Sequence, residues 1–302
     1  MRNANSLKIL LIYNPNAGHG KSKKIFPEVQ RYFKEKNIEI DTRLTERQGH
    51  GKEIVSEVDF GSYDGVIAAG GDGTLFEVIN GYYRNNSKKR IPIGVLPTGT
   101  GNSFSIDLGL GVAKWKEAID LIILNKPRKV DVGYFKANEK EYYYLNILGL
   151  GFVSDVGKTA IRFKGLGNLS YTIGVIYQTI FLKTHQLKIE LDGKILEREN
   201  VFVEISNSRY TANFLMAPDA KIDDGYLDVI ILNKLTRRKL LATFPKIFTG
   251  EHVNIDEVEV FQAKNIRIET DVPKILTPDG ELYGTTPVEV KCLHQAVEVF
   301  GR

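Results

Sequence analysis

The chain has one cysteine, Cys292, among 302 residues, and no apolar run long enough to span a bilayer. A single cysteine can form no internal disulfide, which excludes a disulfide framework and fits a reducing cytoplasm. The start, MRNANSLKIL, lacks the long apolar segment of a secretion signal. The longest apolar stretch, YTIGVIYQTIFL, is too short and too polar for a transmembrane helix. We therefore expect a cytoplasmic protein.

The sequence also lacks a strong excess of charge of either sign. The formal net charge is +4, from 41 basic and 37 acidic residues, which could favour an acidic surface but does not require nucleic acid. There is no basic-aromatic repeat, no zinc-ligand spacing and no low-complexity tract, and the five histidines show no spacing typical of a metal site or a catalytic triad. We expect a globular protein that does not bind nucleic acid.

Strand and helix patterns alternate in the first part of the chain. Buried strands such as LKILLIY (7–13) and DGVIAA (64–69) are followed by apolar residues at helical spacing, as in 25–33 and 75–82. This alternation predicts a doubly wound parallel sheet with helices on both faces, a three-layer α/β nucleotide-binding domain. Ligands of such sheets bind at the carboxyl ends of the strands.

From about residue 128 the segments become short, β-branched and aromatic, with turn residues between them. This pattern predicts a mostly antiparallel β-sandwich, with helical insertions near 165–182 and 236–248. The predicted domains are residues 1–131 and 132–292, with 293–302 rejoining the first domain.

Three turns rich in Gly, Asn and Thr follow strands of the first domain. They are NPNAG (14–18, the first loop), GGDGT (70–74, the second loop) and PTGTGNS (97–103, the third loop). Each alone could be a plain tight turn. Glycines let backbone N–H groups approach phosphate closely, and a helix start adds favourable partial charge. Three such loops at one edge of a parallel sheet favour nucleotide binding.

Asp72 places a carboxylate inside the second loop, where a phosphate would lie. This is reasonable if Mg²⁺ lies between the carboxylate and the phosphates. Alternatively, Asp72 caps the following helix. Thr74 with Glu77 three residues later predicts a capping box at the same helix start, which favours the metal interpretation.

The three loops together resemble those of the lipid kinase family that includes the bacterial diacylglycerol kinase-type enzymes and the sphingosine and ceramide kinases. GGDGT alone also occurs in NAD kinases, and GGDG in 6-phosphofructokinases, so the second half narrows the choice. APDAKIDDGYLDVIIL (217–232), FPKIFTGEHV (244–253) and PDGE (278–281) resemble second-domain segments of the lipid kinases. The resemblance runs from about residue 8 to 300 and implies a first domain similar to 6-phosphofructokinase and NAD kinase.

The resemblance implies ATP as phosphoryl donor, Mg²⁺, and a lipid acceptor at a membrane surface. It implies Glu281 as catalytic base, with Asp279 close by and Asp72 at the phosphates. It implies a structural Mg²⁺ held by Asp224 and by the carbonyls of Lys221 and Tyr226; KIDDGY offers the hard oxygen ligands Mg²⁺ prefers, but could also be a plain hairpin turn. The implied ATP-site residues are Asn14, Pro15, Asn16, Ala17, Gly18, Thr45, Gly70, Gly71, Asp72, Gly73, Thr74, Leu75, Thr100 and Asn102.

One position departs from the family pattern. The diacylglycerol kinase-type enzymes usually have Asp after the Asn of the third loop, where this chain has Ser103. The acceptor therefore stays open among diacylglycerol, sphingoid base, ceramide and other lipid alcohols. KLTRRKLLATFPKIF (234–248) could lie on an anionic inner membrane face or be a packed helix with a solvated basic end. A homodimer through sheet edges of the second domain is compatible with this interpretation.

Two other functions share part of the pattern. An NAD kinase-like enzyme with a soluble acceptor would share GGDGT, but NPNAG and APDAKIDDG argue against it. A non-catalytic nucleotide-sensing module would keep the glycine loops but would need neither Asp72 nor Glu281. The lipid kinase hypothesis accounts for all of these residues.

Overall fold

The computed structural model describes residues 7–110, 114–152, 154–155, 159, 177–179, 182–211 and 214–301. The chain divides into two compact units, Met1–Val132 with Gln295–Arg302 (unit 1) and Gly133–His294 (unit 2). It passes from unit 1 to unit 2 within strand β5 (Pro127–Ala137) and returns within strand β16 (Val288–Phe300).

Unit 1 contains the parallel sheet expected from the alternating pattern. Its strands are β1 (Lys8–Tyr13), β2 (Glu39–Leu44), β3 (Gly65–Gly70) and β4 (Ile93–Pro97). They lie in the order β2-β1-β3-β4, all parallel, and Val299 of β16 pairs parallel with Ile93 beyond β4. β3 is completely buried, as its apolar run indicates.

Helices connect these strands, as the 3.6-residue spacing predicts. They are α1 (Lys21–Glu35), α2 (His50–Glu57), α3 (Asp72–Arg84), α4 (Ser103–Asp107) and α5 (Trp115–Leu124). Short 3-10 turns cover Ala17–Gly20 and Phe60–Ser62. α1 packs against α5 and α2 against α3, which gives the helix layers of a doubly wound fold.

The predicted capping box at Thr74 and Glu77 is wrong. α3 begins earlier, at Asp72, because the Gly71 carbonyl already accepts from the backbone N–H groups of Thr74 and Leu75 at 3.0 and 3.2 Å. The Glu77 carboxylate instead accepts from the N–H groups of Gly49 and Gly51 at 2.6 and 2.8 Å. Glu77 therefore satisfies amides at the start of α2, a cap supplied by a neighbouring helix.

Unit 2 is mostly antiparallel β-structure, as the short β-branched segments predict. Its strands besides β5 and β16 are β6 (Lys140–Tyr144), β7 (Ile147–Gly151), β8 (His185–Leu191), β9 (Lys194–Ser206), β10 (Tyr210–Thr211), β11 (Phe214–Leu215), β12 (Leu227–Asn233), β13 (Val258–Ala263), β14 (Asn265–Thr270) and β15 (Leu276–Pro278). β9 is the central strand: its first part pairs with β8 and its last part lies between β7 and β12. β13 pairs with the other side of β12.

The helical insertion predicted near 236–248 is present in unit 2. It consists of α6 (Arg237–Thr243), which the Thr236 hydroxyl caps, and a 3-10 turn at Phe244–Phe248, with another turn at Glu251–Asn254. Most of the insertion predicted near 165–182 lies outside the described residues. None of the helices in the described part of the chain is both long and apolar enough to cross a membrane.

Candidate functional site

The second and third loops of unit 1 are joined by backbone hydrogen bonds. The N–H groups of Thr98 and Gly99 both donate to the Gly70 carbonyl, at 3.1 and 2.9 Å. In return, the Asp72 N–H donates to the Gly101 carbonyl at 3.0 Å. The carboxyl ends of β3 and β4 therefore continue into one interlocked pair of loops.

Glycines allow this close approach. A Cβ at Gly99 would lie 2.5 Å from the Gly71 Cα and 2.5 Å from its N, and a Cβ at Gly71 would lie 2.7 Å from the Gly101 carbonyl oxygen. Real Cβ atoms do not approach backbone this closely, so only hydrogen fits at both positions. The glycines of GGDGT and GTGN thus allow the contact between the two loops.

The first loop is tied to the other two. The Asn14 side-chain amide donates to the Thr74 hydroxyl at 3.3 Å, and its backbone N–H donates to the Ala69 carbonyl at 2.9 Å. Gly18 has a positive φ of 61°, and a Cβ there would lie 2.8 Å from the Thr98 carbonyl oxygen. All three loops predicted from the sequence therefore meet at one edge of the sheet, as expected for strand carboxyl ends.

The remaining predicted ATP-site residues lie near these loops in different environments. Thr45 follows β2, and its N–H donates to the Tyr13 carbonyl at 2.9 Å. The Leu75 side chain belongs to the core with 1% exposure, so a ligand would meet only its backbone. Asn102 is buried and donates to the Gly99 carbonyl at 2.8 Å, whereas Thr100 is exposed at the tip of the third loop.

Asp72 holds the third loop with both of its carboxylate oxygens. Oδ1 accepts from the Ser103 N–H at 2.8 Å, and Oδ2 accepts from the Ser103 hydroxyl at 2.9 Å. Asp72 also lies in the first turn of α3, where the helix dipole favours a negative charge. Ser103, noted in the sequence only as a departure, is thus a direct partner of Asp72. An aspartate at 103 could not donate its side chain to that carboxylate in the ionised form.

The PDGE segment of unit 2 places its two carboxylates in different environments. Asp279 is buried with a positive φ of 46°, and its Oδ1 accepts from the N–H groups of Asn146 and Ile147 at 3.2 and 3.0 Å. Glu281 is partly exposed, and its N–H donates to the Pro278 carbonyl at 2.8 Å. Asp279 thus orders the start of β7 and the turn, and the Glu281 side chain is the more accessible of the two.

The turn with the predicted metal ligands precedes β12. The Asp224 Oδ1 accepts from the Tyr226 N–H at 3.1 Å, and Gly225 between them has a φ of 81°. Asp228 is 3% exposed, and its Oδ2 has no hydrogen-bond partner among the described residues. Burial, with neighbouring acidic side chains adding to it, raises the pKa of Asp228 to about 6.

These residues fit a hard divalent cation in their chemistry. For such a cation, Asp224 could supply one carboxylate, Lys221 and Tyr226 could supply carbonyls, and Asp228 would add negative potential. Within the described ranges there is no cluster of three His, Cys, Asp or Glu side chains suited to a metal, so a site here must use carbonyl oxygens. Asp228 is not among the metal ligands predicted from the sequence, because it lies within the otherwise apolar strand segment YLDVIIL.

Unit 2 also contains an apolar pocket that the sequence did not indicate. Its empty space, counted together with its open mouth, is about 760 Å³. Its polar lining consists of Glu204, Thr211, Thr243 and His252. Apolar side chains form the rest of the lining: Phe152, Phe202, Phe214, Met216, Leu232, Leu240, Phe244, Ile247, Ile255 and Val258.

Comparison with known proteins gives two family matches that together cover most of the chain. Residues 8–135 match the diacylglycerol kinase catalytic domain, and residues 148–301 match the YegS C-terminal NAD kinase beta sandwich-like domain. The second match alone spans about half of the chain.

Similar whole proteins include lipid kinases of bacteria and plants. A diacylglycerol kinase of Staphylococcus carnosus (strain TM300) is 32% identical over 297 residues, covering 96% of this chain and 94% of the relative. Sphingosine kinase 1 of Arabidopsis thaliana is 27% identical, covering 98% of this chain and 72% of the relative. A crystal structure described as a candidate diacylglycerol kinase from Bacillus anthracis str. Sterne aligns with a TM-score of 0.80 and 30% identity, covering 98% and 97% of the two chains.

Proposed function

Because the chain belongs to the diacylglycerol kinase family of lipid kinases, we propose that it transfers the γ-phosphate of ATP to a hydroxyl of a lipid acceptor such as diacylglycerol. The observation that carries the proposal is the presence in one chain of interlocked glycine loops and an apolar pocket. The loops suit the phosphates of a nucleotide, and the pocket suits an acyl chain.

The three loops form the ATP site in this proposal. Backbone N–H groups of the second and third loops other than those of Asp72, Thr98, Gly99 and Ser103, which donate within the loop pair, bind phosphate oxygens. Asp72 keeps the third loop in place through Ser103, and its carboxylate would also orient Mg²⁺ or the water shell of that ion. Mg²⁺, when bound, neutralises charge on the β- and γ-phosphates.

In the same proposal, the turn before β12 would hold a structural Mg²⁺. Asp224 and the carbonyls of Lys221 and Tyr226 would be its ligands, as the resemblance implies. Asp228 strengthens the site electrostatically, because its buried carboxylate and its neighbours favour a nearby cation.

Glu281 acts as general base in the proposed reaction. Its carboxylate takes the proton of the lipid hydroxyl while that oxygen bonds to the γ-phosphorus, and the bond from the γ-phosphorus to the bridging oxygen breaks to release ADP. Asp279 is a positioning residue, because its carboxylate binds two backbone amides of the β7 start. Its fixed turn geometry holds Glu281, two residues further on.

The segment 234–248 is the proposed membrane contact. Leu240, Phe244 and Ile247 line the pocket, whereas Leu241 and Phe248 are 45% and 51% exposed. The same segment therefore borders the pocket and presents apolar side chains to solvent. This combination suits a protein that takes its acceptor from a bilayer surface.

Basic side chains accompany these exposed apolar groups. Lys234 and Lys239 pair with Glu199 and Glu257 at 3.0 and 2.6 Å. Arg237 and Arg238 are exposed in α6 and have no such ion pair in the described part of the chain. They remain available to anionic head groups.

An oligomeric form is proposed at the exposed edge of unit 2. β13 pairs with β12 on one side, and its Val260 is 46% exposed. An edge strand with exposed apolar side chains can pair with a second copy. Mass measurement in solution by light scattering tests this: a dimer that Val260→Lys dissociates supports it, and a monomeric wild type contradicts it.

The test of the proposed function uses Glu281→Gln in mixed micelles containing dioctanoylglycerol, with ATP and Mg²⁺. We expect turnover to fall at least about 10²-fold, the usual contribution of a general base, while ATP affinity stays within about twofold. Glu139→Gln is a matched control, because Glu139 lies exposed in the β5–β6 turn. NAD serves as a soluble acceptor; phosphorylation of NAD, or full lipid turnover by Glu281→Gln, contradicts the proposal.

A further inference from the structure

Glu204 occupies an unusual position in the apolar pocket of unit 2. It lies on the central strand β9, opposite Gly149 of β7 and Ile230 of β12, and its side chain is completely buried. It also lines the pocket, whose other walls are largely apolar. A carboxyl group in such a place is costly unless it has a function or a partner.

The hydrogen bonds of Glu204 are compatible with a neutral carboxylic acid. Its Oε1 accepts from the Thr211 hydroxyl at 3.0 Å and from the Ser206 hydroxyl at 3.4 Å. Its Oε2 has no partner among the residues that the structure describes. Oε1 therefore accepts two hydrogen bonds. In the neutral acid, a proton on Oε2 would be a donor without a partner among these residues.

Among the residues that the structure describes, no charged neighbour compensates an ionised Glu204. Burial raises its pKa to about 7, and the two hydroxyls oppose this only in part. The other titratable group of the pocket lining is His252, on the turn at Glu251–Asn254, and burial lowers the pKa of its ring. His252 is therefore neutral near pH 7, and Thr211 and Ser206 carry no charge. An acyl chain that displaces water would favour the neutral acid further.

We propose that Glu204 is a specificity-determining residue that donates a hydrogen bond from its neutral carboxyl group to an ester carbonyl of an acyl lipid whose chain fills the pocket. This inference rests on the proposed lipid acceptor. An ester carbonyl is an acceptor only and satisfies the unpaired O–H of Oε2. An ether-linked lipid of equal length lacks this carbonyl oxygen, and a sphingoid ammonium group would require the ionised carboxylate instead.

The test compares dioctanoylglycerol with 1,2-dioctylglycerol, its ether-linked counterpart, at pH 6.5. Affinities are measured by isothermal titration without ATP for wild type, Glu204→Gln and Glu204→Met. We expect the wild type to favour the ester about fivefold to tenfold, the effect of one buried hydrogen bond. Glu204→Gln keeps an N–H donor and keeps the preference, whereas Glu204→Met binds both lipids equally.

A pH series provides the second measurement, should Glu204→Met fail to fold. The ester preference of the wild type should decline between pH 6.5 and 8.5, because the donor proton is lost, while that of Glu204→Gln stays constant. A wild type without ester preference, an unchanged preference in Glu204→Met, or preferential binding of sphingosine would overturn the proposal. Ester-selective binding without phosphorylation of either lipid would leave the role of Glu204 intact and would instead contradict the proposed kinase function.

Discussion

Replacing Gly99 with alanine should separate the second and third loops of the proposed ATP site. The new Cβ would lie 2.5 Å from the Cα and N of Gly71, whereas an ordinary contact between carbon atoms is about 3.5–4 Å. Both partners are backbone, so no flexible side chain can move aside. The loops must therefore part by roughly 1 Å, a displacement that can reduce turnover about 10²-fold when it affects catalytic positioning.

The assay is kcat/KM for ATP with a lipid acceptor in mixed micelles. Gly193→Ala in the β8–β9 turn is the control, because Gly193 has a φ of 89° and open space around its added Cβ. Alanine at this position lowers the free energy of unfolding by about 1 kcal/mol, the usual effect of a left-handed conformation, and its Cβ contacts no other loop. We expect kcat/KM about 10² lower for Gly99→Ala and within twofold of wild type for Gly193→Ala. Wild-type kcat/KM in Gly99→Ala would refute the role assigned to the loop contact.

Three further outcomes are expected. Asp224→Asn should abolish the rise in thermal unfolding temperature that Mg²⁺ causes in the wild type, because a carboxylate ligand is lost; an equal rise in both would contradict the metal site. The raised pKa of Glu204 contributes stability that is complete below pH 4.5 and lost as pH rises through about 7, so Glu204→Gln should remove up to about 3 kcal/mol of the pH dependence of unfolding. The free energy of unfolding is measured by urea titration at pH 5 and pH 8.5. An equal change between the two pH values in wild type and variant would count against this role. Arg237→Glu with Arg238→Glu should weaken binding to anionic vesicles at least tenfold, since each basic residue contributes about 1 kcal/mol. Lys234→Gln, which removes a residue already paired with a glutamate, should have a smaller effect, and equal sedimentation of all three proteins with vesicles would exclude this surface.

The parallel sheet and its ligand edge could be predicted because local patterns determine them. Apolar runs followed by helical spacing define βα units, and the strand ends of such units meet at one edge. The glycines of the second and third loops also pointed to that edge. Their contact with one another, Gly71 against Gly99, could not be read from the sequence, because it depends on the spacing of β3 and β4.

Partners distant in the sequence could not be predicted. Glu77 is three residues from Thr74, the local pattern of a capping box, yet it binds amides of α2, 26 and 28 residues away. Asp72 is 31 residues from Ser103, and their hydrogen bonds depend on how the second and third loops pack. A rule based on local spacing predicts that such residues form hydrogen bonds with backbone amides, but it assigns them the wrong partner.

The apolar pocket was hidden for a related reason. Its walls come from five strands, from Phe152 and from the segment 240–255, which no single window of sequence brings together. Glu204 offered the one local signal, a carboxylate within the apolar run VFVEIS of a central strand. Such a residue at a position that should be buried indicates a site worth testing.

The central claim is phosphoryl transfer from ATP to a lipid hydroxyl. The most direct measurement is transfer of label from γ-labelled ATP, with Mg²⁺, to diacylglycerol, ceramide and sphingosine in mixed micelles, with NAD in a parallel reaction. We expect a labelled lipid, with diacylglycerol labelled fastest and NAD unlabelled. Label on NAD alone, or ATP binding without label on any acceptor, would contradict the account.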